Sequence, residues 1–130
     1  MPRIESDYPQ EWLRIAEKDY ARVTALLEMH DSEAAGFFLQ QALEKFLKGF
    51  LLSHGWRLQR LHDLEPLLNA AIPFDPSFER FRSVLQTISG FYFVDRYPFV
   101  LESGITEEDI RRTFTETTQL IAAIRAHFQK

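Results

Sequence analysis

The chain contains no cysteine among its 130 residues, which excludes disulfide bonds, thiolate nucleophiles and cysteine-ligated metal sites. No stretch reaches about 18 uncharged apolar residues, so we expect no membrane-spanning helix. Residues 1–11 carry charges and two prolines but no apolar run, which argues against a secretory signal peptide. These absences together are compatible with a protein of the reducing cytoplasm, which is the location we expect.

Glycine and histidine are also scarce. The five glycines form no glycine-rich phosphate loop, so a Walker-type nucleotide site is excluded. No two of the four histidines lie three or four residues apart, and we therefore expect neither a metal site nor a bound cofactor. No serine sits in a recognisable nucleophile elbow, which leaves serine-centred catalysis without support.

The charge balance is acidic, with a formal net charge of -4 and a sequence pI near 5.5. That balance argues against general binding to a nucleic-acid backbone but leaves room for a local basic pocket. Apolar residues make up 45% of the chain and charged residues 26%, which is ordinary for a globular protein. The sequence therefore predicts a single domain over residues 1–130, with its core from about residue 9 to 128.

Apolar residues recur at helical spacing along nearly the whole chain. The pattern predicts one helix from near Pro9 to about residue 28 and a second from about Ser32 to His54. A short helix over residues 63–71 and a fourth that starts at residues 75–76 follow. The last helix should begin with a capping box at Thr106 and continue unbroken to Phe128. No segment alternates with a period of two, so we predict an all-α fold, an up-and-down antiparallel bundle of four to five helices. The predicted core includes Phe38, Phe46, Leu47, Phe114, Ile121 and Ile124.

Four segments, in this order, resemble the HEPN family (higher eukaryotes and prokaryotes nucleotide-binding). They are the helix over residues 12–27, the run Phe38-Leu39-Gln40-Gln41-Ala42-Leu43-Glu44-Lys45-Phe46-Leu47-Lys48, the motif His62-Asp63-Leu64, and Tyr92 with Arg96-Tyr97-Pro98. The resemblance implies a stand-alone helical domain that binds a nucleotide or RNA. It also implies a homodimer and a partnership with a minimal nucleotidyltransferase in a toxin–antitoxin type pair.

Some members of this family are ribonucleases that need no metal, and they use an Arg, four to six residues, then a His near the start of the last helix. Arg96 lies in the corresponding place, but residues 100–114 contain no histidine. Arg57 and His62 have a matching separation, although they lie in the connection between the second and third helices. The sequence therefore leans against an enzyme, with His62, Arg96 and Arg57 as the candidate catalytic residues.

The candidate residues for binding a nucleotide or another anion are basic, aromatic or close to a helix start. In this interpretation the lysines offer ammonium groups to a phosphate and the arginine offers a bidentate fork. The full set is Lys45, Lys48, His62, Asp63, Arg96 and Tyr97.

Four of these residues also have a plain structural interpretation. Lys48 is four residues after Glu44 and would form an ordinary surface ion pair with it. His62 or Asp63 would cap the third helix, and Arg96 would pair with a neighbouring carboxylate.

Three functions remain open at this point: a binding domain, a ribonuclease, and a purely structural dimer. The homodimer is also favoured by the twelve phenylalanines, which are more than one small bundle is expected to bury. The aromatic run of residues 91–93 and the adjacent loop are the candidates for that contact.

Overall fold

The computed structural model describes residues 7–91 and 106–129. Arg96, Tyr97, and the aromatic residues Tyr92 and Phe93 lie outside the described residues. Within these ranges there is no strand, and the predicted all-α bundle is confirmed. The helices are α1 (Pro9–Glu28), α2 (Ser32–Ser53), α3 (Leu64–Ala71), α4 (Arg82–Ser89), α5 (Glu107–Glu116) and α6 (Thr118–His127), with a 3-10 helix (Pro76–Phe81) before α4.

The first two helices form an antiparallel hairpin with a very short connection. His30 adopts a φ of 60°, and the Asp31 carboxylate then accepts a hydrogen bond from the Ala34 N–H at 3.4 Å to cap α2. Near the other end of the hairpin, a Cβ on Gly49 would lie 3.3 Å from the Pro9 carbonyl oxygen. The absence of a side chain at Gly49 therefore lets the start of α1 approach α2 closely.

Helix α2 lies at the centre of the bundle and contacts every other described α-helix. Thirteen of its 22 residues are buried, which is more than one face of a helix can supply. Polar residues of α2 are consequently carried into the interior, including Gln40, Glu44 and Lys48. This central position creates the site described below.

Helix α6 is tied to α1 by a forked ion pair. The Arg125 guanidinium donates to both carboxylate oxygens of Glu17, at 2.8 and 2.5 Å. The same guanidinium lies 5.4 Å from the centre of the Tyr20 ring. Burial raises the pKa of the Tyr20 hydroxyl, and the hydrogen bonds to Glu17 raise the pKa of Arg125. Both groups therefore keep their neutral-pH protonation state, tyrosine neutral and arginine charged.

Two helix predictions need correction. The start signal at Asp75 is real, because its carboxylate accepts from the Ser77 N–H at 3.1 Å, but it opens a 3-10 helix before α4 begins. The last helix is interrupted at Thr117, whose hydroxyl donates to the Thr113 carbonyl at 2.9 Å. Threonine hydroxyls that bond the preceding turn compete with helix geometry, and three further threonines in residues 113–118 do the same.

The predicted core is largely present. Four of the six predicted residues are fully buried, whereas Phe38 and Phe114 are partly buried and pack against the core. Of the ten phenylalanines in the described ranges, Phe74 alone is exposed. The bundle therefore buries more aromatic volume than the sequence led us to expect, and this removes one argument for a dimer.

Phe91 is buried, although it is the first residue of the aromatic run predicted as a dimer contact; residues 92–93 of that run lie outside the described residues. Phe91 is only 1% exposed and packs inside the monomer, where a Cβ on Gly36 would lie 3.2 Å from its ring and from Ile110.

None of the described helices is long and apolar enough to cross a membrane.

Candidate functional site

A buried pair of opposite charges lies on α2. Glu44 and Lys48 are one helical turn apart, and their side chains are 7% and 0% exposed. The Lys48 Nζ lies 3.1 Å from Glu44 Oε2 and 4.9 Å from the centre of the Trp12 ring on α1. The interpretation of Glu44 and Lys48 as a simple surface ion pair is therefore wrong. Their spacing of four residues is typical of a surface pair, but both side chains are buried.

His62 completes the site from the connection that precedes α3. Its Nδ1 lies 3.3 Å from Lys48 Nζ and 3.2 Å from Glu44 Oε2. The His62 side chain is 60% exposed, in contrast to the two residues behind it. We call these three residues the Glu44–Lys48–His62 cluster.

The electrostatics of the cluster explain why it holds together. A buried ammonium group is tolerated only when it is paired and hydrogen-bonded, and Lys48 has a carboxylate, an imidazole and an aromatic face around it. Glu44 is in turn satisfied by the ammonium of Lys48. The three polar groups therefore satisfy one another at the boundary between the interior and solvent.

The cluster also restricts how the His62 ring can be used. Lys48 is only a donor, so a contact with its Nζ requires Nδ1 to accept and leaves the proton on Nε2. A contact with Glu44 requires the reverse, since Nδ1 must then donate to the carboxylate. Both contacts occupy Nδ1, so Nε2 is the ring nitrogen left to meet a ligand.

The backbone at His62 is anchored to α2 as well. Gln40, one turn before Glu44, donates from Nε2 to the His62 carbonyl oxygen at 3.4 Å. Gln41 donates to the Gln40 side-chain oxygen at 2.6 Å, which fixes the direction of that amide. The polar residues at positions 40, 44 and 48 therefore form one stripe that holds the connection before α3.

Lys45 does not join this cluster. Its Nζ lies 2.5 Å from Asp19 Oδ2 on α1, and Arg22 contacts the other oxygen of the same carboxylate. The Asp19 side chain is 3% exposed, so the two cations compensate a buried negative charge. Lys45 thus joins α2 to α1, away from His62.

The remaining candidates fall into two groups. Asp63 occupies the N-cap position of α3, but its side chain makes no capping hydrogen bond. Arg57 is exposed on the same connection as His62. Arg96 and Tyr97 lie outside the described residues, so their position relative to His62 is not tested.

The sequence did not predict the roles of Glu44, Gln40 and Trp12. The missed signal is the recurrence of Gln40, Glu44 and Lys48 every four residues along a helix that is otherwise mostly apolar, apart from the adjacent Gln41 and Lys45 in its middle. Such a stripe inside an otherwise buried helix indicates a polar network in place of a solvated face. Among the described residues, no group of three acidic or histidine side chains is arranged to hold a metal ion.

Comparisons with known proteins agree with the architecture. The model of the HEPN domain family matches residues 9–127, which is nearly the whole chain. A search of curated proteins and a search of solved structures each returned no match. The family match extends over all six described helices, and the chain belongs to the HEPN domain family.

Proposed function

We propose that this HEPN domain binds a nucleotide or RNA in a groove whose floor is the Glu44–Lys48–His62 cluster. One observation carries the proposal: the His62 ring is exposed, while its Nδ1 contacts the buried, oppositely charged side chains of Glu44 and Lys48. Replacing a buried ion pair with well-packed apolar residues is often neutral or stabilising. Stability alone therefore does not account for the Glu44–Lys48 pair. Because the pair contacts the exposed ring of His62, a role in orienting that ring toward a ligand explains it better.

In this proposal His62 is the residue that touches the ligand. When Nδ1 accepts from Lys48, the ring carries its proton on Nε2 and donates it to a phosphate oxygen. Lys48 is fully buried and acts through His62 instead of contacting the phosphate itself. Arg57, on the same connection, supplies a cation, and we propose Arg96 and Tyr97 as further contacts.

A ribonuclease is the second candidate, and the contact between Glu44 Oε2 and His62 Nδ1 at 3.2 Å favours it. A carboxylate that accepts from Nδ1 leaves Nε2 unprotonated and able to take a proton from a 2′-hydroxyl. The two functions therefore require different tautomers of one ring. Nitrogen chemical shifts of His62 in the free protein distinguish them.

The binding test uses a matched pair of histidine variants. A fluorescently labelled structured RNA and a labelled adenine nucleotide are titrated with the wild-type protein, His62→Ala and His30→Ala. His30 is also exposed and also contacts a carboxylate, that of Glu107, which makes it a suitable control. We expect His62→Ala to weaken binding about tenfold, as for one lost charge-assisted hydrogen bond, and His30→Ala to leave it unchanged.

Cleavage of the same RNA separates the candidates. Product formation that disappears in both His62→Ala and Glu44→Gln supports the ribonuclease. Equal affinity of His62→Ala and wild-type protein for both probes contradicts the proposed groove.

The partners are proposed on the family resemblance. We propose a cytoplasmic homodimer that pairs with a minimal nucleotidyltransferase in a toxin–antitoxin type system. Co-purification with the product of the neighbouring gene tests the pairing, and sedimentation velocity at tens of micromolar tests the dimer. A monomer in sedimentation contradicts the proposed homodimer. The absence of a nucleotidyltransferase from the co-purified material contradicts the proposed pairing.

A further inference from the structure

A second concave site lies between α4 and α5 and shares no residue with the Glu44–Lys48–His62 cluster. Its volume is about 430 Å³, within the range of small-molecule pockets. The buried side chains of Phe81 and Val84 contribute an apolar floor. Polar side chains of α4 and α5, together with Arg80 of the 3-10 helix and Gln119 of α6, form the walls.

The walls are rich in hydrogen-bond donors. Arg80 and Arg112 contribute guanidinium groups and Ser83 contributes a hydroxyl, whereas the Thr87 hydroxyl already donates to the Ser83 carbonyl at 3.3 Å. The guanidinium carbon of Arg80 lies 4.7 Å from the centre of the Phe81 ring, so one face of the guanidinium packs on an aromatic surface. Arg80 forms no ion pair with any residue in the described ranges.

The second arginine is held only loosely. Arg112 lies 3.3 Å from Asp109 and 3.7 Å from Glu116, and its side chain is 56% exposed. Exposed pairs of this kind contribute little, so Arg112 can exchange them for a ligand. Glu116 is the acidic residue of the lining, and it faces the same cavity.

We propose that this pocket binds a small phosphate monoester that carries a flat ring. Two guanidinium forks and the Ser83 hydroxyl offer donors to the oxygens of one phosphate group, and the apolar floor suits the face of a ring. Glu116 repels additional negative charge, so the pocket favours a monophosphate over a di- or triphosphate. A nucleotide and an aryl phosphate share this chemistry, and the test below distinguishes them.

The test is a calorimetric titration of the full chain with inorganic phosphate, phenyl phosphate, adenosine 5′-monophosphate and adenosine 5′-triphosphate. Both monoesters should bind more tightly than inorganic phosphate and than the triphosphate. Tighter binding of the adenosine compound than of phenyl phosphate identifies a nucleotide, and the reverse order identifies an aryl phosphate.

Substitutions locate the binding. Arg80→Gln should weaken monoester binding about tenfold, as for the loss of one charge-assisted contact, and Glu116→Gln should strengthen it. Arg14→Gln removes an exposed arginine of α1 that does not line the pocket, and it should have no effect. Circular dichroism confirms that each variant retains the helical content of the wild type.

Three results overturn the proposal. One is the absence of saturable binding of either monoester, and another is an equal loss in Arg80→Gln and Arg14→Gln, which indicates nonspecific attraction. The third is a loss in His62→Ala with Arg80→Gln unaffected, which moves the ligand to the Glu44–Lys48–His62 cluster. Since His62→Ala and Arg80→Gln report on different sites, failure here is separable from failure of the proposed groove.

Discussion

Removing one partner of the buried Glu44–Lys48 pair should destabilise the protein much more than removing both. In Glu44→Leu the ammonium of Lys48 keeps only the imidazole and the Trp12 ring, in a place where its side chain is 0% exposed. Breaking a buried pair in this way typically costs about 3–5 kcal/mol, which is a large part of the stability of a small domain. The double variant Glu44→Leu with Lys48→Met removes both charges and should recover most of that loss.

Urea unfolding followed by circular dichroism measures these free energies. The control pair is Glu17→Gln and Arg125→Gln, whose ion pair is about two-fifths exposed on each side and should contribute about 1 kcal/mol or less. The functional proposal adds a second readout, since the double variant should be stable yet bind nucleotide or RNA poorly. A loss below about 1 kcal/mol in Glu44→Leu would refute the reasoning, because it would mean that Lys48 reaches water easily.

Three further results are expected. Phe46→Ala should lower the free energy of unfolding by about 3–5 kcal/mol because Phe46 is fully buried. The control Phe74→Ala should lower it far less, since Phe74 is exposed. A similar loss in both variants would mean that the core is misassigned. Thr106→Ala should cost about 1 kcal/mol by thermal unfolding, because it removes the side chain that accepts from the Asp109 N–H in the capping box of α5, and an unchanged Tm would contradict this role. Hydrogen bonding from the Thr106 N–H lowers the pKa of the Asp109 carboxyl, so its stabilisation is complete above its unfolded-state pKa and is lost as the pH falls through the lower folded-state value. The stability difference between wild type and Asp109→Asn should therefore shrink on acidification, and a difference that grows at acid pH would reverse the sign of the argument.

The helices were predictable because apolar spacing and cap residues are local properties of the chain. The start of α2 at Ser32, the stop near Gly55 and the capping box at Thr106 all depend on residues within one turn of the boundary. The break at Thr117 was missed because the apolar stripe of the last helix continues across it. Hydroxyl competition for backbone carbonyls is a weaker signal than that stripe.

The candidate site was less predictable because burial of a helix face is a property of the whole bundle. Glu44 and Lys48 have the same spacing whether they face solvent or the interior, and only the central position of α2 decides between them. The 3.3 Å approach of Lys48 to His62 joins residues 14 positions apart through an irregular connection, for which the sequence contains no pattern. Likewise, nothing near Lys45 in sequence indicates Asp19, which lies on another helix.

The indole beneath Lys48 makes the site observable without a label. A tryptophan emits at a wavelength that depends on the charges beside its ring, and the Lys48 ammonium lies 4.9 Å from the centre of the Trp12 ring. If an anion docks on His62 as proposed, the field at that ring should change, and we expect the change to shift the Trp12 emission. Trp56, the other tryptophan, can be removed as Trp56→Phe so that Trp12 alone is recorded. The intrinsic fluorescence of Trp12 is thus a label-free readout of the proposed binding at His62.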